Sequence, residues 1–136
     1  MIYPNMATML AFIFTNYDFK ISNISKDFKS IVDSTFNSIS VDGDTSTSDM
    51  VLLFSIKNSD SLRSKKTLGP IFLKKLEKLM LKLSHLIVRD GEGASKFIEV
   101  EVKNAKNSDE AKLIAKSIIN SPLIKTAMAG SDSNWG

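Results

Sequence analysis

The sequence contains no cysteine. Disulfides, thiolate catalysis and cysteine-bound zinc are therefore excluded, and the absence fits a reducing cytoplasm. Histidine occurs once, as His85, inside the apolar helical pattern of residues 79–86. It reads as a helix-surface or boundary residue, and a single histidine leaves no room for a multi-histidine metal site. Arginine is confined to Arg63 and Arg89. Without clustered arginines beside aromatics there is no footprint for nucleic acid, although the net charge is +3 and the pI near 9.1. The lysines are spread over several segments and read as solvated helix faces. No apolar run approaches the ~20 residues of a membrane-spanning helix. The start lacks a basic region and is interrupted by Pro4 and Asn5, so it does not read as a signal peptide.

What is present is the composition of one globular domain: 136 residues, 43% hydrophobic and 24% charged, enough for a sizeable core. Residues 9–15 form an almost unbroken aliphatic and aromatic run, which suits a short strand buried on both faces. Residues 25–39 carry Phe28, Ile31, Val32, Phe36 and Ile39 at helical spacing, with Ser25 as the N-cap. A polar loop over 41–49 leads into a second apolar strand, 50–56. Pro70 opens the longest helix, reaching about His85, with a stripe of Leu73, Leu76, Leu79, Met80, Leu83 and Leu86 opposite Lys74, Lys75, Lys78 and Lys82. The loop 89–96 precedes an alternating run, 97–102, that reads as a strand with one polar face. Residues 108–120 give a helix with Ala111, Ile114, Ala115 and Ile118 inward, and Pro122 starts a further one through about Ala129. Strands interspersed with helices predict an α/β (α+β) sandwich, a mixed sheet with helices packed on it.

With cysteine missing and histidine nearly so, chemistry falls to hydroxyls and carboxylates. Thr8 stands at the mouth of the first strand, after Ala7. A threonine hydroxyl becomes a useful nucleophile when the peptide bond before it is cut, because the freed α-amine, with a pKa of about 8, serves as its base. By spacing alone most such threonines are structural. Asp42-Gly43-Asp44-Thr45 invites a metal reading, but the spaced ligands and closing glutamate of a calcium loop are missing, so a turn is the better reading. Glu92 lies between Gly91 and Gly93. Its carboxylate has little cover, and a substrate ammonium could approach it; a solvated loop acid is an equally good reading.

Four segments change these odds: Met1-Ile2-Tyr3-Pro4-Asn5-Met6-Ala7-Thr8-Met9-Leu10-Ala11-Phe12; Val41-Asp42-Gly43-Asp44-Thr45-Ser46-Thr47; Ile87-Val88-Arg89-Asp90-Gly91-Glu92-Gly93-Ala94-Ser95-Lys96-Phe97; and Asn120-Ser121-Pro122-Leu123-Ile124-Lys125-Thr126-Ala127 with Asn134-Trp135-Gly136. Together they resemble the ornithine acetyltransferase (glutamate N-acetyltransferase) family of arginine biosynthesis. They follow one another in the family's order across the whole chain, and four in register are highly specific.

The resemblance implies a self-processing fold with an N-terminal threonine nucleophile, cut between Ala7 and Thr8. Residues 1–7 would then end an alpha chain and residues 8–136 begin a beta chain, the two assembling as a heterotetramer. Thr8 would accept the acetyl group of N2-acetylornithine and pass it to glutamate, a ping-pong exchange. Glu92 matches the family's substrate-binding glutamate. Some members also accept acetyl-CoA, and the chemistry uses no cofactor and no metal. Neither nucleic acid nor a membrane is an expected partner. Tyr3 departs from the small residue usual in the family. Members are much longer than this chain. Their oxyanion-hole Thr-Gly pair and a substrate lysine precede the cleavage segment, and further substrate residues follow the last segment. Loss of an oxyanion donor costs on the order of 2.7–4 kcal/mol. These 136 residues by themselves are therefore expected to be inactive. Two other readings stand beside the transferase: a related N-terminal-nucleophile aminopeptidase, which would hand the acyl group to water, and a truncated domain that only folds or binds a partner.

Overall fold

The structure, a computed structural model, describes residues 9–43, 46–56 and 68–133. Thr8 and the peptide bond before it lie outside the described residues, as do Asp44, Thr45 and Trp135.

Two strands, β1 (Leu10–Thr15) and β2 (Met50–Ser55), pair in parallel, with Leu10 opposite Met50 and Thr15 opposite Ser55. Parallel neighbours need a crossover connection, and helix α1 (Ile21–Ser34) supplies it. Helix α2 (Leu68–Arg89) is the longest element, and α3 (Ser108–Ile119) and α4 (Pro122–Gly130) complete the chain. The core lies between one face of the sheet and the two long helices: Ile13 from β1, Ile31 from α1, Phe36 just after it, and Leu76 and Met80 from α2. The α/β architecture of helices packed on a sheet is thus borne out, with a sheet that is parallel rather than mixed among the described residues.

The boundaries shift where packing overrides local signals. Helix α1 begins four residues before Ser25. Lys20 occupies the cap position without a side-chain bond, and Ile24 is buried. Burial of an isoleucine, worth about 1.5–3 kcal/mol, outweighs what a serine cap supplies. The helix also stops short of Ile39. Thr35, buried at 1% exposure, turns its hydroxyl back to donate to the Ile31 carbonyl at 2.6 Å. A single 3-10 turn, Phe36–Ser38, then drops Phe36 into the core. On α2 the buried line runs Leu76, Met80, Ser84, while Leu79 and Leu86 are exposed. The apolar stripe is therefore narrower than the leucine pattern implies. Ile114 on α3 is likewise exposed.

Two strand expectations are corrected. First, β1 is buried on one face only. Ile13 points into the core, whereas Phe12 and Phe14 are 53% and 62% exposed. Among the described residues no layer covers the face on which Phe14 stacks against Phe54 at 5.0 Å. Second, residues 97–102 form no regular element and join no ladder among the described residues. Period-2 alternation specifies an extended backbone; a strand also requires a neighbour to pair with, and none of the described residues provides one. Phe97 is held instead by α2, with the Arg89 guanidinium 4.4 Å from its ring centre and the His85 ring 5.1 Å away.

Candidate functional site

Helix α2 ends in a turn built by glycines. Gly91 N–H donates to the Val88 carbonyl at 3.3 Å, and the Gly91 carbonyl accepts from Ala94 N–H at 2.9 Å. A Cβ on Gly91 would stand 3.2 Å from the Val88 oxygen, so the turn closes tightly only without a side chain. Gly93 adopts φ +70°, the left-handed region that glycine enters at little cost. Between them Glu92 is exposed, and it lines a cavity of about 400 Å³. The cavity is bounded by this turn, the segment 95–100, the loop 38–41 and the facing sides of α3 and α4.

Its walls divide by chemistry. Val88, Ile118, Ile119 and Ile124 give an apolar floor, while Glu92 and Lys125 bring opposite charges to the lining. Such a mixture, apolar walls with few polar groups, is what a small amphiphilic ligand needs. His85 is half-buried at the cavity wall, in keeping with a boundary residue at the helix surface. Among the described residues no group of three or more His, Asp or Glu side chains gathers in a way that could hold a metal.

The loop 38–43 is tied down from the far end of the chain. Ser40 Oγ donates to Asn120 Oδ1 at 2.5 Å, and Lys125 Nζ donates to the Val41 carbonyl at 2.7 Å. Gly43, at φ +90°, faces the Asn120 side chain 3.6 Å from where a Cβ would stand. The Val41 side chain in turn lies 3.5 Å from the Cβ position of Gly91. Three of the four segments singled out in the sequence, around residues 41–43, 91–93 and 120–125, therefore meet at this cavity. Their spacing in the chain gives no hint of it.

The first segment is reached from the other end of the same loop. Ser48 N–H donates to Ser46 Oγ at 3.2 Å, and Asp49 then projects its carboxylate onto β1. Asp49 Oδ1 accepts the Met9 N–H at 2.9 Å, and the next residue, Met50, donates its own N–H to the Met9 carbonyl at 2.9 Å. Both backbone polar groups of Met9, the residue bonded to Thr8, are thus held by two consecutive residues far along the chain, Asp49 and Met50. By sequence Asp49 belongs only to the polar loop 41–49. The only local signal is an acid directly before an apolar run, and it does not say which amide the acid will meet.

The sequence model of the ArgJ family matches residues 1–136. The chain is 47% identical to the arginine biosynthesis bifunctional protein ArgJ of Bacillus licheniformis, covering all of this chain and 34% of that protein. With the protein of the same name from Staphylococcus epidermidis the identity is 48%, over all of this chain and 35% of the relative. The chain thus spans about a third of the length of these relatives. The crystal structure of arginine biosynthesis bifunctional protein ArgJ from Bacillus halodurans superimposes with a TM-score of 0.85 at 41% identity, covering 94% of this chain and 61% of the other.

Proposed function

The chain belongs to the ArgJ family, and from that premise we propose that it is the part of a glutamate N-acetyltransferase that carries the nucleophile and one substrate-binding carboxylate. Its relatives are named for arginine biosynthesis and for two functions. The observation that carries the reading is the match of the family over the whole chain, through Ala7-Thr8 and Gly91-Glu92-Gly93, with Glu92 at the lining of a cavity.

Water cleaves the peptide bond between Ala7 and Thr8, leaving a carboxylate on Ala7 and an α-amine on Thr8. Residues 1–7 end one chain and residues 8–136 begin the next. The Thr8 hydroxyl attacks the acetyl carbonyl of N2-acetylornithine while the α-amine takes its proton. The C–N bond breaks, ornithine leaves with the proton on its nitrogen, and the acetyl group stays as an ester on Thr8. The amine of glutamate then attacks the ester, giving N-acetylglutamate and restoring the hydroxyl. Glu92 supplies negative charge for a substrate ammonium. Acetyl-CoA serves as a second acetyl donor, the two chains assemble as a heterotetramer, and the enzyme works in the cytoplasm without a cofactor. Among the described residues no helix is long and apolar enough to cross a membrane.

Intact-mass measurement tests the reading on a polypeptide of the relatives' length carrying this chain. The expected products are a fragment beginning at Thr8 and, with N2-acetylornithine alone, the same fragment one acetyl group heavier. Thr8→Ala should yield neither. An uncut wild type, or a Thr8→Ala form indistinguishable from it, overturns the proposal. Release of the acyl group to water at a rate comparable with transfer to glutamate would favour the aminopeptidase reading instead.

A further inference from the structure

We propose that Asp49 is a positioning residue for the Thr8 nucleophile, acting through the amide of Met9. The inference rests on the reading of Thr8 given above. Its physical basis is the pair of bonds on Met9. The Met9 N–H belongs to the peptide group that joins Thr8 to the strand, and peptide groups are planar. An acceptor on that N–H orients this peptide group, and a donor on the Met9 carbonyl holds the peptide group that follows it. Asp49 Oδ1 supplies the first at 2.9 Å and Met50 N–H the second at 2.9 Å.

The first of these bonds is outside the backbone ladder. The parallel register begins with Leu10 opposite Met50, and the Met9 N–H just before it takes a side-chain acceptor instead of a backbone one. A carboxylate oxygen is a stronger acceptor for this N–H than a neutral one. The Ser48 N–H to Ser46 Oγ bond shapes the approach, so that the acid arrives at the strand's mouth rather than pointing away. Asp49 is itself exposed, and its bond to Met9 lies at the surface. It therefore contributes little to the core, and the consequence of its loss falls on the geometry at the start of β1. Misplacing a reacting group by about 1 Å costs on the order of 100-fold in rate.

The test uses a polypeptide of the relatives' full length and compares wild type, Asp49→Ala, Asp49→Asn and Thr8→Ala. Self-cleavage is followed by intact mass, acetyl transfer by kcat and KM, and stability by the urea midpoint. Asp49→Ala should slow cleavage and lower kcat by about 10- to 100-fold, with KM within about twofold and the urea midpoint unchanged. Asp49→Asn should recover most of the loss, because its amide oxygen accepts the same N–H. If Asp49→Ala aggregates, Asp49→Ser, whose oxygen sits one bond closer to the backbone than the carboxylate's, carries the same comparison. Wild-type rates in the shortened variants, losses that only track a lower urea midpoint, or an asparagine form as slow as alanine each overturn the proposal. A Thr8→Ala form that still cleaves and transfers overturns the nucleophile itself, and the role of Asp49 with it; that failure shows in the Thr8→Ala arm, whereas a failure of Asp49 alone shows in the Asp49 arms with Thr8 intact.

Discussion

At the scale of single residues, the glycine-flanked acid is the feature that sequence and structure describe alike. Glu92 is exposed at the cavity lining, and the turn that presents it depends on its neighbours. Hydrogen bonds to charged groups contribute about 1.5–3 kcal/mol. Glu92→Gln in the full-length polypeptide should therefore raise KM for the amino-acid substrates by about 10- to 100-fold and change kcat far less, as read from initial rates. Gly93 is at φ +70° with open space where a Cβ would stand, so Gly93→Ala meets no clash and only backbone strain. A loss of about 1 kcal/mol in urea unfolding is expected. The need for glycine here was legible from Gly91-Glu92-Gly93 alone. Asp49 was not, because its role is set by an amide 40 positions away, and a lone acid in a serine- and threonine-rich loop carries no sign of that partner.

At the scale of elements, the helices followed their periodicity, and their ends followed local chemistry only where the ends are exposed. Helix α3 opens with a reciprocal cap. Asn107 Oδ1 accepts from Glu110 N–H at 2.9 Å, and Glu110 Oε2 accepts from Lys106 N–H at 2.6 Å. Asn107→Ala removes half of it and should cost about 1 kcal/mol, measured by urea unfolding. Helix α4 begins the way its sequence announces, with Ser121 at the cap and Pro122 in the first turn. By contrast α1 starts early and stops early, because Ile24 and Phe36 gain more from burial than the local caps can offer. Met80, at 0% exposure, is the most enclosed apolar side chain of α2. Met80→Ala should cost about 2–5 kcal/mol, whereas Leu79→Ala, at an exposed position one residue away, should cost well under half as much.

At the scale of the whole molecule, one side of the sheet is core and the other is bare among the described residues. Leu10, Phe12 and Phe14 on β1 and Met50 and Phe54 on β2 are all exposed. A contiguous aromatic face of this kind binds hydrophobic dyes. The 136-residue chain should therefore enhance anilinonaphthalene sulfonate fluorescence, and Phe12→Ser with Phe14→Ser should remove most of the enhancement while Ile13 and the buried face stay intact. The amino-acid sequence by itself determined the order and kind of the helices, the two apolar strands, the glycine turn around Glu92 and the family. Those depend on neighbours a few residues apart, or on short segments whose identity is their own signal. Only the tertiary structure decided that, among the described residues, β1 is covered on one face and residues 97–102 join no ladder, and that Val41, Gly91, Ile124 and Lys125 converge on one cavity while Asp49 takes the Met9 amide. Burial on a particular side and hydrogen bonds across 40 or 84 positions are settled by which surfaces meet, and an apolar run or a polar loop looks the same in sequence whichever partner it finds.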